Sequence, residues 1–386
     1  MHRPITRLYE RYFSVRRQLA ASVVAPPPPP APLQVQSVRR LLLVCTGLLG
    51  DTVMCLPAMA KARSLFPTAE IVGLVNETAR GLLALTAVVD RVIVTDGAPL
   101  RLLPQHHRAA RTLQAALAAE SFDLAVIFLG DDYAPMLTRI GIPHRIFVAE
   151  SAYSRLATAS YSIGAPRTWG PQERLSAWAA LQLPSDALTV TLRPTAQAAA
   201  WAAALAGAAE RQPLLVIHPF GRTLDQWWPH GQLTSFLALA ERELGAVGYL
   251  VGNQQQAARV EPAWLPARNL AGRLSIDELA ALLSNCACVV TTDSGPMHLA
   301  GALGVPTVAL FRGHRPEHAT RYSSLEPIVA PTAEGCDACR WDDCRFTPCR
   351  EMLSIQPEAV LNAVRRQLHR GSSVPKAPVP SDVHGE

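Results

Sequence analysis

Charge is scarce in this chain. Of 386 residues only 17% are Asp, Glu, Lys or Arg, and the formal net charge is +5. That excess is too mild to mark a nucleic-acid binder, although it is compatible with an anionic substrate or membrane surface. No apolar run reaches about 18 residues, which excludes a membrane-spanning helix. The opening MHRPITRLYERYFSVRRQ has no apolar core ahead of a small-residue cleavage site, so no secretory signal is expected. A cytoplasmic location is expected, and there the eight cysteines are expected as thiols or metal ligands rather than disulfides. A GxGxxG turn is also missing. The first apolar strand runs into Gly47-Leu48-Leu49-Gly50-Asp51, and the second, Ile71–Asn76, ends without the acidic residue that would hold a dinucleotide ribose. Both absences argue against a nicotinamide cofactor. What is present is a 49% hydrophobic, Ala/Leu/Val-rich composition with 6% aromatics. A chain of this length can bury two cores of roughly 150 residues each.

Residues 1–37 stand apart from the rest. Arg3, Arg7, Arg11, Arg16 and Arg17 alternate with Ile5, Leu8, Tyr9, Tyr12, Phe13 and Val15, which suits a short basic amphipathic helix. Pro26–Pro30 with Pro32 then form a stiff linker. One reading is a peripheral membrane or partner anchor; the other is a tail with no fixed role. At the far end, 371–386 has the composition of a disordered tail. Between the two, strands and helices alternate. Strands are expected at Arg40–Thr46, Glu70–Val75, Arg91–Thr95, Leu124–Leu129 and His144–Val148, with helices at Thr52–Phe66 and Gln105–Glu120. The pattern blurs from Ala152 to Arg211, where Pro166, Pro171, Pro184 and Pro194 interrupt it. It resumes with strand Leu214–His218, helix Gly231–Leu244, strand Val247–Val251 and helix Ile276–Asn285. This alternation predicts an α/β protein with two Rossmann-like domains, 38–195 and 196–370, their parallel sheets facing one cleft.

The most informative stretch is CACVVTTDSGPMHLAGALGVPTVALF, Cys286–Phe311. It reads as an apolar strand, a polar turn over Thr291–Gly295, a small-residue helix from about Pro296 and a second apolar strand over Val305–Phe311. The first turn of such a helix has unpaired N–H groups and the positive end of the dipole, so it suits a phosphate. Ser294 and Gly295 would let a ligand approach the backbone, and His298 lies on the first turn. The competing reading is an ordinary Asp/Ser cap with a core-facing histidine. Asp51 is likewise read in two ways, as a general base placed toward a cleft or as a first-turn acid of its helix.

Taken together, Gly50-Asp51 with Leu56-Pro57-Ala58, and Asp293-Ser294-Gly295-Pro296-Met297-His298-Leu299-Ala300 followed by Ala-Leu-Gly-Val-Pro-Thr, resemble glycosyltransferase family 9, the ADP-heptose:lipopolysaccharide heptosyltransferases. The resemblance runs from about Arg39 to Leu368. It implies a GT-B fold with the acceptor on the N-terminal domain and the donor on the C-terminal one. It also implies inverting transfer of a heptose from ADP-heptose to a hydroxyl of a lipopolysaccharide-core, similar glycan or protein acceptor, with no metal or other cofactor in catalysis. Asp51 is then the base, Ser294, Gly295 and His298 hold the diphosphate, and Asp293 contacts the donor sugar. Departing diphosphate needs its charge stabilised, and helix amides can do this. Two positions depart from the family pattern. Gln226 stands where a Lys precedes Trp-Pro, with Arg222 in the same loop to supply charge, and Gln254–Gln256 are amides where relatives often have an acid. These departures motivate a second reading, a catalytically lapsed nucleotide-sugar-binding or assembly subunit. A nucleotide-sugar epimerase is a third.

Four cysteines, Cys336, Cys339, Cys344 and Cys349, occupy one Pro/Asp/Arg-rich loop at a spacing that suits a tetrahedral metal centre. Zinc is the default occupant and iron the alternative, in a structural role; uncoordinated thiols are the competing reading. Relatives often have cysteines in this region, and a subgroup that glycosylates autotransporter proteins is thought to bind iron there. Cys45, Cys55, Cys286 and Cys288 are expected in the core, and His106-His107 on the surface. Trp227-Trp228 is read either as a stacking platform for the nucleotide or as a lid on the second core.

Overall fold

The computed structural model describes residues 24–25, 28–95, 104–163, 170–208, 212–260, 268–312, 321–333, 336 and 348–371. It divides into two compact units with the main boundary between Ala196 and Gln197, and Ser275–Ala280 returning to the first. Both units are built on parallel sheets. Their central strands are almost continuously apolar because both faces are covered.

The first sheet contains β1 (Arg40–Cys45), β2 (Glu70–Val75), β3 (Arg91–Val94), β4 (Leu124–Leu129), β5 (His144–Val148) and β6 (Ala159–Tyr161). Their order is β3-β2-β1-β4-β5-β6, all parallel. The chain therefore leaves β1 in one direction and returns to its other side at β4. That reversal opens a crevice at the carboxyl ends of β1 and β4, where ligands of such sheets bind. The second sheet contains β7 (Leu214–His218), β8 (Val247–Leu250), β9 (Cys288–Thr292), β10 (Thr307–Phe311) and β11 (Leu325–Val329). Its order is β11-β10-β9-β7-β8, again all parallel, so the reversal falls between β7 and β9.

Several bounds differ from expectation. The helix expected from Thr52 starts at Leu49 and runs to Leu65, because Asp51 lies inside its first turn and receives the Leu48 N–H. Thr291 and Thr292 belong to β9 and not to the turn after it. The blurred region resolves into β6 and two helices, Gly170–Ala179 and Ala196–Gly207. Pro171 occupies the first turn of the earlier one, where its missing N–H costs nothing. Gly371 closes the final helix, Pro357–Gly371, rather than opening the tail. Of the N-terminal segment, Val24 is buried in the first unit's core, and the Arg155 guanidinium donates to its carbonyl at 3.0 Å. The basic stretch 1–23 and the tail 372–386 lie outside the described residues. Among the described residues no helix is long and apolar enough to cross a membrane.

Candidate functional site

In the first unit, three strand ends converge on the turn Thr46–Gly50. Thr46 N–H donates to the Leu129 carbonyl at the end of β4 (3.2 Å). Asn76, just past β2, donates from its side-chain amide to the carbonyls of Gly47 (2.6 Å) and Thr46 (3.3 Å). Gly130 follows β4 at φ +97°, and a Cβ there would collide with the Thr46 hydroxyl. Gly47 is equally constrained, since a Cβ would sit 2.7 Å from both Asp51 Cβ and Leu129 Cδ1. This closeness brings Leu48 N–H to Asp51 Oδ2 at 3.1 Å. One carboxylate oxygen thus anchors the helix start, as the first-turn reading has it. The other, Oδ1, makes no hydrogen bond among the described residues. Gly50 is buried beside it, on the same first turn. Behind the turn, Cys45 and Cys55 are both buried, as are Cys286 and Cys288 in the other unit.

In the second unit, the register sets His218 at the end of β7 opposite Thr291 on β9. Ser294 Oγ lies 3.1 Å from His218 Nδ1 and 3.0 Å from Thr291 Oγ1, and donates to the Thr292 carbonyl at 3.0 Å. His218 is only 4% exposed, and burial lowers its pKa to about 4, so it is a neutral imidazole at pH 7. Its second partner is the Gln256 side chain, whose Oε1 also accepts the Asn253 N–H at 2.8 Å. Ser294 occupies the N-cap position of helix Gly295–Ala302, yet its side chain makes no capping bond. Asp293, half-buried, precedes it. His298 is 6% exposed and faces Tyr322, whose hydroxyl is 3.4 Å from Nδ1.

The loop after β7 is fastened at several points. Thr292 Oγ1 donates to the Phe220 carbonyl at 2.6 Å. Arg312, at the end of β10, pairs with Asp225 at 2.6 Å, their side chains being 8% and 13% exposed. Gln226 Oε1 accepts the Arg222 N–H at 2.8 Å, so this amide folds back onto its own loop. The Arg222 side chain is exposed. Of the two tryptophans, Trp228 is 1% exposed and belongs to the second core, while Trp227 packs partly buried against Phe220 with ring centroids 4.7 Å apart. A stacking role is thus excluded for Trp228.

The structure brings Asp51 and Gly50 together in one unit. It groups Asp293, Ser294, Gly295 and His298 at one helix end in the other, with Arg222 and Gln226 on a loop of that unit. Sequence reading missed His218, Asn76, Thr291, Tyr322 and the Asp225–Arg312 pair. His218 carried a usable signal, being the sole polar residue of an otherwise apolar strand. Of the four-cysteine loop, Cys336 and Cys349 are buried, whereas Cys339 and Cys344 lie outside the described residues. Among the described residues, no three His, Cys, Asp or Glu side chains gather as metal ligands. The side chains of His106 and His107 are likewise outside them.

Two parallel α/β units, each gathering its polar side chains at the carboxyl ends of its central strands, define a GT-B-like fold. The sequence profile of glycosyltransferase family 9 (heptosyltransferase) matches residues 110–350, and the chain belongs to that family. Lipopolysaccharide heptosyltransferase 2 of Escherichia coli is 32% identical over 119 residues, 30% of this chain and 33% of that protein. Lipooligosaccharide heptosyltransferase 2 of Haemophilus influenzae is 31% identical over 100 residues, 26% of this chain and 29% of that one. These two alignments reach no more than 33% of either relative's length. The solved structure of E. coli ADP-heptose lps heptosyltransferase II superposes with a TM-score of 0.67 at 20% identity, covering 86% of this chain and all of that one.

Proposed function

We propose that this chain is an inverting glycosyltransferase that moves a heptose from ADP-heptose to a hydroxyl of a lipopolysaccharide-core or similar glycan or protein acceptor. The observation that carries this reading is Asp51: a carboxylate at the switch point of the first sheet, with Oδ2 tied to the helix start and Oδ1 available to a substrate. In the proposed step, Asp51 takes the acceptor hydroxyl proton while that oxygen bonds to the anomeric carbon. The bond from the anomeric carbon to the diphosphate breaks, and ADP leaves with the electron pair. The first domain, 38–195, is assigned the acceptor and the second, 196–370, the donor. Ser294, Gly295 and His298 at the end of helix Gly295–Ala302 hold the diphosphate, Arg222 adds charge from the neighbouring loop, and Asp293 meets the sugar hydroxyls. Stabilising the leaving charge with helix amides is the largest catalytic contribution this arrangement can make. No catalytic metal is assigned. The loop Cys336, Cys339, Cys344 and Cys349 is assigned a structural zinc or iron. A cytoplasmic location is proposed, with the basic N-terminal segment touching the inner membrane face.

One observation favours the second reading, a nucleotide-sugar-binding subunit without catalysis: Gln226 supplies no charge and its amide oxygen is occupied by Arg222 N–H. Incubating the protein with ADP-heptose and a heptose-free lipopolysaccharide acceptor separates the readings. Mass spectrometry is expected to show one added heptose, with ADP released. Donor binding without product would support the binding subunit, and donor converted in the absence of acceptor would support an epimerase.

A further inference from the structure

A serine at a helix N-cap ordinarily turns its hydroxyl onto the helix's own N–H groups. Ser294 does not. Position two of its helix is Pro296, which has no N–H, so the Met297 amide is the one a capping hydroxyl would reach. That amide instead takes the Ser294 carbonyl at 3.1 Å. The N–H groups of Ser294 and Gly295 make no hydrogen bond among the described residues. The hydroxyl itself is drawn the other way, toward His218 Nδ1, Thr291 Oγ1 and the Thr292 carbonyl.

Of these three partners, only His218 comes from another strand. Thr291 and Thr292 sit within three residues of Ser294, whereas His218 is 76 residues away and is delivered by the pairing of β7 with β9. A polar ring buried at the end of the apolar run LLVI is costly unless both nitrogens are satisfied. Ser294 Oγ lies 3.1 Å from Nδ1, and the ring's other side-chain partner, Gln256, is itself held by the reciprocal Asn253–Gln256 bonds. A neutral imidazole so held is a rigid, directional anchor.

We infer that His218 is a positioning residue that holds the Ser294 hydroxyl clear of the terminus of helix Gly295–Ala302, so that the Ser294 and Gly295 N–H groups there stay open to a diphosphate. This rests on the proposed donor role of that helix and adds to it a residue acting through Ser294. Without the imidazole, the Ser294 hydroxyl loses its anchor, swings over the helix terminus and competes with the ligand.

The test is calorimetry of ADP, UDP, GDP and adenosine against the wild type, His218→Phe, His218→Asn, Ser294→Ala and the double variant His218→Phe/Ser294→Ala. His218→Phe is expected to weaken the diphosphate about 10- to 100-fold, as for loss of one hydrogen bond to a charged group, with adenosine unchanged. His218→Asn, which keeps a side-chain amide to engage Ser294, is expected to retain most of the affinity, and it carries the test if His218→Phe fails to fold. In the Ser294→Ala background, His218→Phe should cost less than about threefold, because the competing hydroxyl is gone. Full affinity in His218→Phe, equal loss of ADP and adenosine, or losses that simply add would each overturn the inference while leaving the donor assignment in place. A wild type that binds none of the three diphosphates would instead overturn the donor assignment, and this inference with it.

Discussion

Replacing Asp51 by Asn removes the proposed base with little else disturbed. The amide is the same size as the carboxylate, which matters because Gly47 already crowds Asp51 Cβ. Its carbonyl oxygen can still accept the Leu48 N–H that Oδ2 accepts at 3.1 Å, so the helix start is kept. What the fold loses is a negative charge at a helix N-terminus, worth about 0.3–1 kcal/mol. What the reaction loses is a proton acceptor, and general base catalysis contributes about 10²- to 10⁴-fold. At about 1.36 kcal/mol per decade, the barrier should rise by about 3–5 kcal/mol, well beyond the effect on stability. The donor contacts are assigned to the other unit, so ADP-heptose affinity should change less than about twofold. Steady-state ADP release gives kcat, calorimetry gives the donor Kd, and thermal unfolding reports the fold. A variant that keeps more than about a tenth of kcat would refute Asp51 as the base, given the size of the term it should remove. A variant that loses donor binding along with activity would show that Asp51 acts through structure.

Three further outcomes are expected. His218 titrates near 4 in the fold against an ordinary 6.5, so between those values the unfolded chain binds more protons and stability falls as pH falls; from pH 7.5 to 5 the wild type should lose about 2 kcal/mol more than His218→Asn in urea unfolding, and equal losses would sink the assignment. Asp225→Asn leaves the 8%-exposed Arg312 side chain without its carboxylate and should cost about 3 kcal/mol, with Asp225→Leu/Arg312→Leu recovering part of it; a change under about 0.5 kcal/mol, typical of exposed sites, would mean the pair is structurally idle. Gly47→Ala places a methyl 2.7 Å from Asp51 Cβ and should lower kcat, with a stability loss of about 1–3 kcal/mol; unchanged kinetics would show that the turn does not need its present geometry.

Where local pattern and tertiary role coincide, sequence was enough. Glu70–Val75, Leu124–Leu129, His144–Val148, Leu214–His218 and Ile276–Asn285 have the expected bounds, because strands covered on both faces are largely apolar, with polar residues only at their ends, and the helix is strongly amphipathic. Elements at the sheet margins were harder. β6 is a three-residue edge strand, and β11 alternates between half-buried and exposed residues, so neither has an apolar run to find. The same divide holds in the site. The bond of Asp51 to Leu48, and Ser294 with its helix, are made by neighbours in sequence. The contacts of Ser294 to His218 and of His298 to Tyr322 span 76 and 24 residues and exist only through the strand order.

Gln226 shows what a position-by-position comparison leaves out. Set against the lysine of the family pattern, it reads as a lost charge. Lysine, however, has three donors and no acceptor, and at this position the loop uses an acceptor: Gln226 Oε1 receives the Arg222 N–H. Gly221 has room for this only because it lacks a Cβ, which would collide with the Gln226 side chain. The Asp225–Arg312 pair fastens the residue before it, and the Trp227 indole N–H donates to the Gly221 carbonyl at 3.3 Å on the residue after. The glutamine is thus one of three consecutive fastenings that shape the turn, and it leaves the Arg222 side chain exposed at its rim. On the proposed donor side, that makes the substitution a relocation of positive charge from position 226 to position 222, carried by a guanidinium with the fork geometry that phosphate favours.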